Sequence, residues 1–256
     1  MALKQYNYNK LAEYYDVLEL DADWFYSKSN SFIHSILKKH NVKSVLDFTC
    51  GTGAQALYLS RFYKVVASDI SKDMLSVAKA KAKKQRMHIE FAHGDVRNSK
   101  LGKFDSVITI FNAIGHLTES EFDKAIGNIN RNLKEEGIYI FDIFNQNFAK
   151  WSLGYKFIDA AIKNHNETIV RFNQNYLDSN KGILKVNQET WIQRGFGKPR
   201  IRKDSWDMKI YSYDRLKRLL EKNRFKILNL YGGWGKKFSQ AGSLSIVVVA
   251  QKLGDV

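Results

Sequence analysis

Residues 44–69 read SVLDFTCGTGAQALYLSRFYKVVASD, and this stretch decides the fold. Val45, Leu46 and Phe48 around Asp47 predict a short buried strand. Cys50-Gly51-Thr52-Gly53 then makes a tight turn, and a helix opens at Ala54. A second apolar run, Val65-Val66-Ala67, ends in an acid, Asp69. Strand, glycine turn, helix and strand form a unit that cradles a nucleoside-like ligand. Gly51 permits a backbone angle that other residues resist, and Gly53 is expected to let the main chain approach a ligand where a Cβ would collide. Asp69, at the carboxyl end of the second strand, is placed to accept hydrogen bonds from ribose hydroxyls.

The same alternation continues on both sides. Strands are predicted at 44–48, 64–68, 88–93, 104–110 and 137–144, with helices at 54–62, 71–86 and 118–133 between them. Ser71 reads as an N-cap, and Thr118 with Glu121 three residues on reads as a capping box. Apolar strands alternating with helices predict a Rossmann-like, mostly parallel sheet covered on both faces. Ligands of such sheets sit beyond the carboxyl ends of the strands. Those ends carry Asp47 with the glycine turn, Asp69 and Ile70 with Met74 on the following helix, Gly94-Asp95-Val96, and Phe111-Asn112-Ala113-Ile114-Gly115-His116.

Two helices are predicted before the first core strand, with Tyr8, Tyr14 and Tyr15 forming an aromatic group ahead of the glycine turn. Residues 145–207 interrupt the alternation. Within them 168–176 and 182–192 flank a turn and predict an antiparallel hairpin, and 206–211 a returning strand. The expected organisation is an N-terminal helical lid at 1–40, a core at 41–144 and 208–256, and an inserted β subdomain at 145–207. That subdomain is expected to roof the active site with Trp151, Tyr155, Trp191 and Trp206.

A chain of 256 residues with 44% hydrophobic content supports one domain with an insertion. A single cysteine and a polar N-terminus, MALKQYNYNK, predict a reducing, cytoplasmic setting. The longest apolar run, 246–250, is far short of the roughly 20 residues a membrane helix requires. The net charge of +15 arises largely from a helix face with Lys72, Lys79, Lys81, Lys83, Lys84 and Arg86, and from a basic loop with Lys198, Arg200, Arg202 and Lys203. Solvated surface accounts for the first; the second is a candidate contact for an anionic substrate or nucleic acid. No clustered His/Cys spacing suggests a metal.

Asp47-Phe48-Thr49-Cys50-Gly51-Thr52-Gly53 resembles the first motif of the class I S-adenosylmethionine-dependent methyltransferases, with Thr49 in place of the usual first glycine or alanine. The resemblance runs over about 43–145. It implies a seven-stranded sheet whose last strand is antiparallel to the rest, and S-adenosylmethionine as cofactor. It assigns Asp47, Phe48, Gly51 and Gly53 to the cofactor turn and Asp69 to the ribose hydroxyls. It also implies that Ile70 and Met74 pack on the adenine, that Asp95 and Val96 read its edge, and that Phe111 lies near the sulfonium. YNKLAEYYD, residues 8–16, resembles the start of the small-molecule branch, in which a tyrosine closes over the cofactor; Tyr8 holds that place. The segment 111–117 resembles that of the amino-sugar N-methyltransferases, and the branch also includes the glycine N-methyltransferases.

Transfer to an amine calls for a base with a pKa near neutrality. His116 is the catalytic candidate, with Tyr15 or Tyr14 as an alternative hydrogen-bond acceptor. Three competing readings remain. A dinucleotide is disfavoured because Asp47 precedes the glycines and Asp95 supplies a second acid. A nucleic-acid acceptor is the alternative within methyl transfer, but the segment after the fourth strand lacks an N-P-P-Y type run. A cofactor-binding scaffold without turnover is the non-enzymatic reading. The sequence leaves the acceptor and the oligomeric state open.

Overall fold

The computed structural model describes residues 2–6, 8, 12, 15–18, 22–147, 154–163 and 166–254; Tyr14 and Trp151 lie outside the described residues. Strand β1 (Ser44–Asp47) sits inside a seven-stranded sheet, parallel to β2 (Lys64–Asp69) on one side and to β4 (Phe104–Thr109) on the other. Beyond β2 lies β3 (Glu90–His93), and beyond β4 lies β5 (Leu133–Phe144), both parallel to their neighbours. The last strand, β11 (Ser245–Lys252), runs antiparallel between β5 and β10 (Phe225–Tyr231). The sheet is therefore mostly parallel with its final strand reversed.

Helices cover both faces because each strand buries side chains on both sides. On one face Ile33 and Leu37 of α2 (Ala22–Lys39), Leu59 of α3 (Ala54–Leu59) and Leu75 of α4 (Lys72–Lys84) pack with Val45, Ile108 and Ile140. On the other, Phe122 and Ile126 of α5 (Glu119–Asn132) and Leu216 and Leu220 of α6 (Tyr213–Lys222) pack with Tyr139 and Phe141. Ser71 caps α4 through the Met74 amide, and Thr118 and Glu121 form the capping box of α5. Both caps sit at strand-to-helix junctions on the carboxyl side of the sheet, and they fix where those junctions turn.

The chain leaves β5 into a four-stranded antiparallel meander, β6 (Lys156–Lys163), β7 (Glu167–Asp178), β8 (Ile183–Arg194) and β9 (Arg200–Lys209), and returns at Tyr211 beside Asn145. This insertion has one strand more than its alternation predicts. In β6 a residue is displaced between Ile158 and Ala160, which breaks the period-two pattern. Strand β9 begins six residues earlier than predicted, so Arg200, Arg202 and Lys203 lie on a strand and not in a basic loop. At the N-terminus the described helical residues form α1 (Tyr15–Leu18).

Candidate active site

A cavity of about 440 Å³ opens at the carboxyl ends of β1, β2, β3 and β4. Its base is the glycine turn. The Cys50 amide donates to the Ser68 carbonyl (2.9 Å) and the Gly51 amide donates to Asp69 Oδ2 (2.8 Å), so the turn after β1 is laced to the end of β2. Gly51 has a φ of 51°, the left-handed conformation that its lack of a Cβ allows. Gly53, at a φ of 88°, has a different reason from the one expected. A Cβ there would meet the Ala78 Cβ of α4 at 3.1 Å, so this glycine serves the packing of α3 against α4 and does not line the cavity.

Asp69 holds Gly51 with one oxygen and the Ser71 amide (2.9 Å) with the other, and the Ile70 amide also donates to it. A carboxylate has about four acceptor positions, which leaves room for a further hydroxyl. Ile70, 61% exposed, and Met74, 2% exposed, flank the cavity beside Asp69. Phe48, Val96 and Phe111 line the same cavity. Asp47 lies beneath the turn and outside the cavity wall, where its carboxyl accepts from the Thr49 and Ala56 amides while Oδ2 has no hydrogen-bond partner. Burial, with the neighbouring Asp69 charge, pushes its pKa up to about 8. A spare acceptor position on Asp69 and a glycine cradle suit a polar nucleoside ligand.

The carboxyl end of β4 carries the other half of the wall. His116 Nε2 and the Tyr8 hydroxyl are 2.7 Å apart, with the rings edge-to-face, and His116 Nδ1 is shut off from solvent without a partner. Burial pushes the His116 pKa down to about 4, so the imidazole is neutral at physiological pH. Tyr15 packs edge-on against Tyr8, and Tyr26 against Phe111; all four line the cavity. Cofactor-type acids and an aromatic wall with a neutral histidine thus share one chamber.

Residues 45–137, which contain the glycine turn, the cavity acids Asp69, Asp95 and Glu121, and His116, match the family described as a methyltransferase domain. The chain is 26% identical to a putative methyltransferase of Geobacillus sp. (strain WCH70), over 96% of this chain and 99% of that protein. Its fold is that of an S-adenosylmethionine-dependent methyltransferase from Clostridium acetobutylicum, at a TM-score of 0.82 and 22% identity over 96% and 99% of the two chains. It also matches an amino pentose methyltransferase from Micromonospora echinaspora solved with S-adenosylmethionine bound, at a TM-score of 0.75 and 17% identity over 97% and 98%.

Asp95 is not the free acid that the sequence suggests. Its two oxygens take Nε (3.0 Å each) and Nη2 (2.6 Å) of Arg97, whose other Nη reaches Glu121 at 2.5 Å. Burial works against the Asp95 charge, but Arg97 outweighs it and holds the carboxyl below its ordinary range. Arg97 and Glu121 therefore line the same end of the cavity as Asp95, and a ligand lying there shares Asp95 with Arg97. The roof also differs. Tyr155 and Trp191 are exposed, at 77% and 38%, and do not line the cavity; Trp206 stands behind Tyr6, 4.3 Å between ring centroids. Tyr6, Tyr8, Tyr15 and Tyr26 form the aromatic cover instead.

Three further residues support the site. Asp16 accepts from the Thr52 hydroxyl (2.6 Å) and pairs with Lys81, which ties α1 to the glycine turn and to α4. Gln5 donates to the His116 carbonyl (2.9 Å). Asp142, fully inside β5, holds the turn that carries Phe111. Asp16 is the acid that ends the run YNKLAEYYD, and Asp142 stands out as one acid within the apolar run Ile138-Tyr-Ile-Phe-Asp-Ile-Phe144, where a charge in a two-sided strand needs a partner.

Proposed function

We propose that this S-adenosylmethionine-dependent methyltransferase delivers its methyl group to the nitrogen of a small-molecule amine. The observation that carries this reading is the Tyr8–His116 pair, 2.7 Å apart on the wall of the same cavity as the glycine turn and Asp69. S-adenosylmethionine supplies a methyl group already activated on sulfur. The protein has only to align the acceptor, exclude water and accommodate the shift of charge. Asp69 takes a ribose hydroxyl, Ile70 and Met74 pack on the adenine, and Asp95 with the Val96 amide meets its edge. Phe48 and Gly51 shape the cradle, and Asp47 beneath them holds the turn through the Thr49 and Ala56 amides. Tyr8, Tyr15 and Phe111 close over the reacting end.

His116 contributes as an acceptor and not as a strong base. With its pKa near 4 it stays neutral, and by accepting a hydrogen bond from the Tyr8 hydroxyl at Nε2 it leaves the phenol oxygen to take a hydrogen bond from the acceptor N–H, with the nitrogen lone pair aimed at the methyl group. An alkylammonium titrates near ~10.4, so complete proton transfer to this imidazole would be uphill by roughly 8–9 kcal/mol. The proton therefore leaves after methyl transfer, to water. A small acceptor fits the aromatic cover, which bounds the cavity with four tyrosine rings. The amino pentose specificity of one structural relative agrees with a nitrogen acceptor.

The test is transfer of labelled methyl to pooled small metabolites, with an RNA pool run in parallel. Label in amine-containing fractions is the expected result. Label in the RNA pool alone would overturn the small-molecule reading and turn attention to the basic residues Arg200, Arg202 and Lys203 of β9.

A further inference from the structure

The chain turns out of β4 in an unusual way. Phe111 and Asn112 both have left-handed backbones, at φ of 63° and 53°, and neither is glycine. Consecutive non-glycine residues in that region persist only where the surroundings impose it. The imposing contacts converge on one buried acid. Asp142 Oδ2 accepts from the Asn112 amide at 3.2 Å, and the Phe111 amide also donates to this carboxyl. The Asn112 side chain completes the clamp, its Oδ1 accepting from the Phe144 amide at 2.9 Å. Gly115 packs so closely on Asn112 that a Cβ would fall 2.4 Å from Nδ2. The turn leads straight into the 3-10 segment Ala113–His116.

We infer that Asp142 is a positioning residue for methyl transfer: its carboxyl clamps the strained Phe111–Asn112 turn and thereby sets Phe111 and His116 against the reacting end of the cavity. It touches neither cofactor nor acceptor space, because it does not line the cavity. Its distance from the surface argues for a specific task. A buried carboxyl carries a desolvation cost that an apolar residue in β5 would avoid, and its Oδ1 gains no partner in return. Burial lifts its pKa to about 7 while the two turn amides oppose that rise, so they favour the charged form that grips them best. Without the clamp, the turn relaxes toward an ordinary right-handed path, and Phe111 and His116 swing with it.

The experiment compares wild type with Asp142→Asn, which keeps the shape and one acceptor oxygen but sets an NH2 group against the backbone amides. Hydrogen exchange in a peptide spanning 109–117 should rise at least tenfold, while a peptide spanning 44–53 keeps its protection. Calorimetry with S-adenosylhomocysteine should give a Kd within about twofold of wild type. Turnover on the acceptor found by the labelled-methyl screen should fall tenfold or more at unchanged cofactor KM. A merely structural acid would raise exchange throughout the sheet or leave the 109–117 peptide alone, and either result overturns the assignment. Should Asp142→Asn fail to fold, Asn112→Ala attacks the same turn with Asp142 intact. It is expected to raise exchange in the same peptide only, and unchanged exchange there would also overturn the clamp. The exchange readout holds whatever the acceptor is, so its failure is distinct from failure of the amine reading.

Discussion

Replacing His116 by alanine isolates the acceptor's hydrogen bond from cofactor binding. In the wild type the imidazole is neutral, and its Nε2 lies 2.7 Å from the Tyr8 hydroxyl. On the proposed reading the acceptor nitrogen becomes cationic during transfer, so a bond from its N–H to the Tyr8 oxygen, which His116 orients, passes from neutral to charge-assisted. Such bonds are worth about 1.5–3 kcal/mol against roughly 0.5–1.5 for neutral ones. The alanine variant removes the group that orients the Tyr8 hydroxyl and with it that bond, so turnover should drop about 10²-fold, or ~2.7 kcal/mol. Cofactor affinity should stay within about threefold, since the adenosyl contacts lie on other strand ends. With the imidazole titrating near 4, its removal should lower log kcat/KM between pH 6 and 9 without changing the shape of the curve. Initial rates across that range, with calorimetry for S-adenosylmethionine, check both. Undiminished turnover, or the loss of a limb near pH 6.5 in the variant, would refute the reasoning.

Asp69→Asn should weaken S-adenosylmethionine binding by roughly 10–150-fold, the value of one charge-assisted bond, and calorimetry showing less than a threefold change would remove Asp69 from the ribose. Asp16→Ala severs α1 from Thr52 and Lys81, partly exposed contacts worth about 1 kcal/mol, so the cofactor KM should rise about fivefold with little change in Tm. Asp47, raised to about 8 from an ordinary 3.8, keeps in the fold a proton that the unfolded chain gives up. Its stabilising effect is thus complete below pH 3.8 and fades as pH rises toward 8. In that window Asp47→Asn should gain on the wild type by up to ~1.4 kcal/mol per pH unit in denaturant melts of the free protein, and parallel curves would contradict the shift.

The sheet and its ligand end were legible in the sequence because each depends on neighbours along the chain. Apolar periodicity gives a strand, Gly51 supplies a left-handed angle, and Thr118 with Glu121 caps a helix three residues away. What could not be read depends on pairs remote in sequence. Arg97 claims Asp95 only two residues away, yet its second arm goes to Glu121 on another element. Asp16 finds Thr52 across 36 positions, and Asp142 finds Asn112 across 30. Gly53 shows the other limit, since a local pattern named the right residue while the reason lay in Ala78 on the next helix. The β6 strand was hidden for a different cause, a displaced residue that breaks the alternation on which strand prediction rests.

The charge distribution of the cavity bears on which form of the acceptor enters. Burial drives His116 and Asp47 in opposite directions on the pH scale but toward the same end, the neutral form. The acids on the wall are already engaged: Asp69 by the Gly51 and Ser71 amides, Asp95 by Arg97, and Glu121 by Thr118 and Arg97. On the proposed reading, a protonated amine entering past Tyr8 would meet a neutral imidazole and phenol rings, and among the described residues the acids on the wall already hold donors. The free amine is then the form this wall suits, and it is also the only form with a lone pair to offer the methyl group. If the acceptor is the amine proposed, selection for its nucleophilic form is built into the side-chain environment before any step of the reaction takes place.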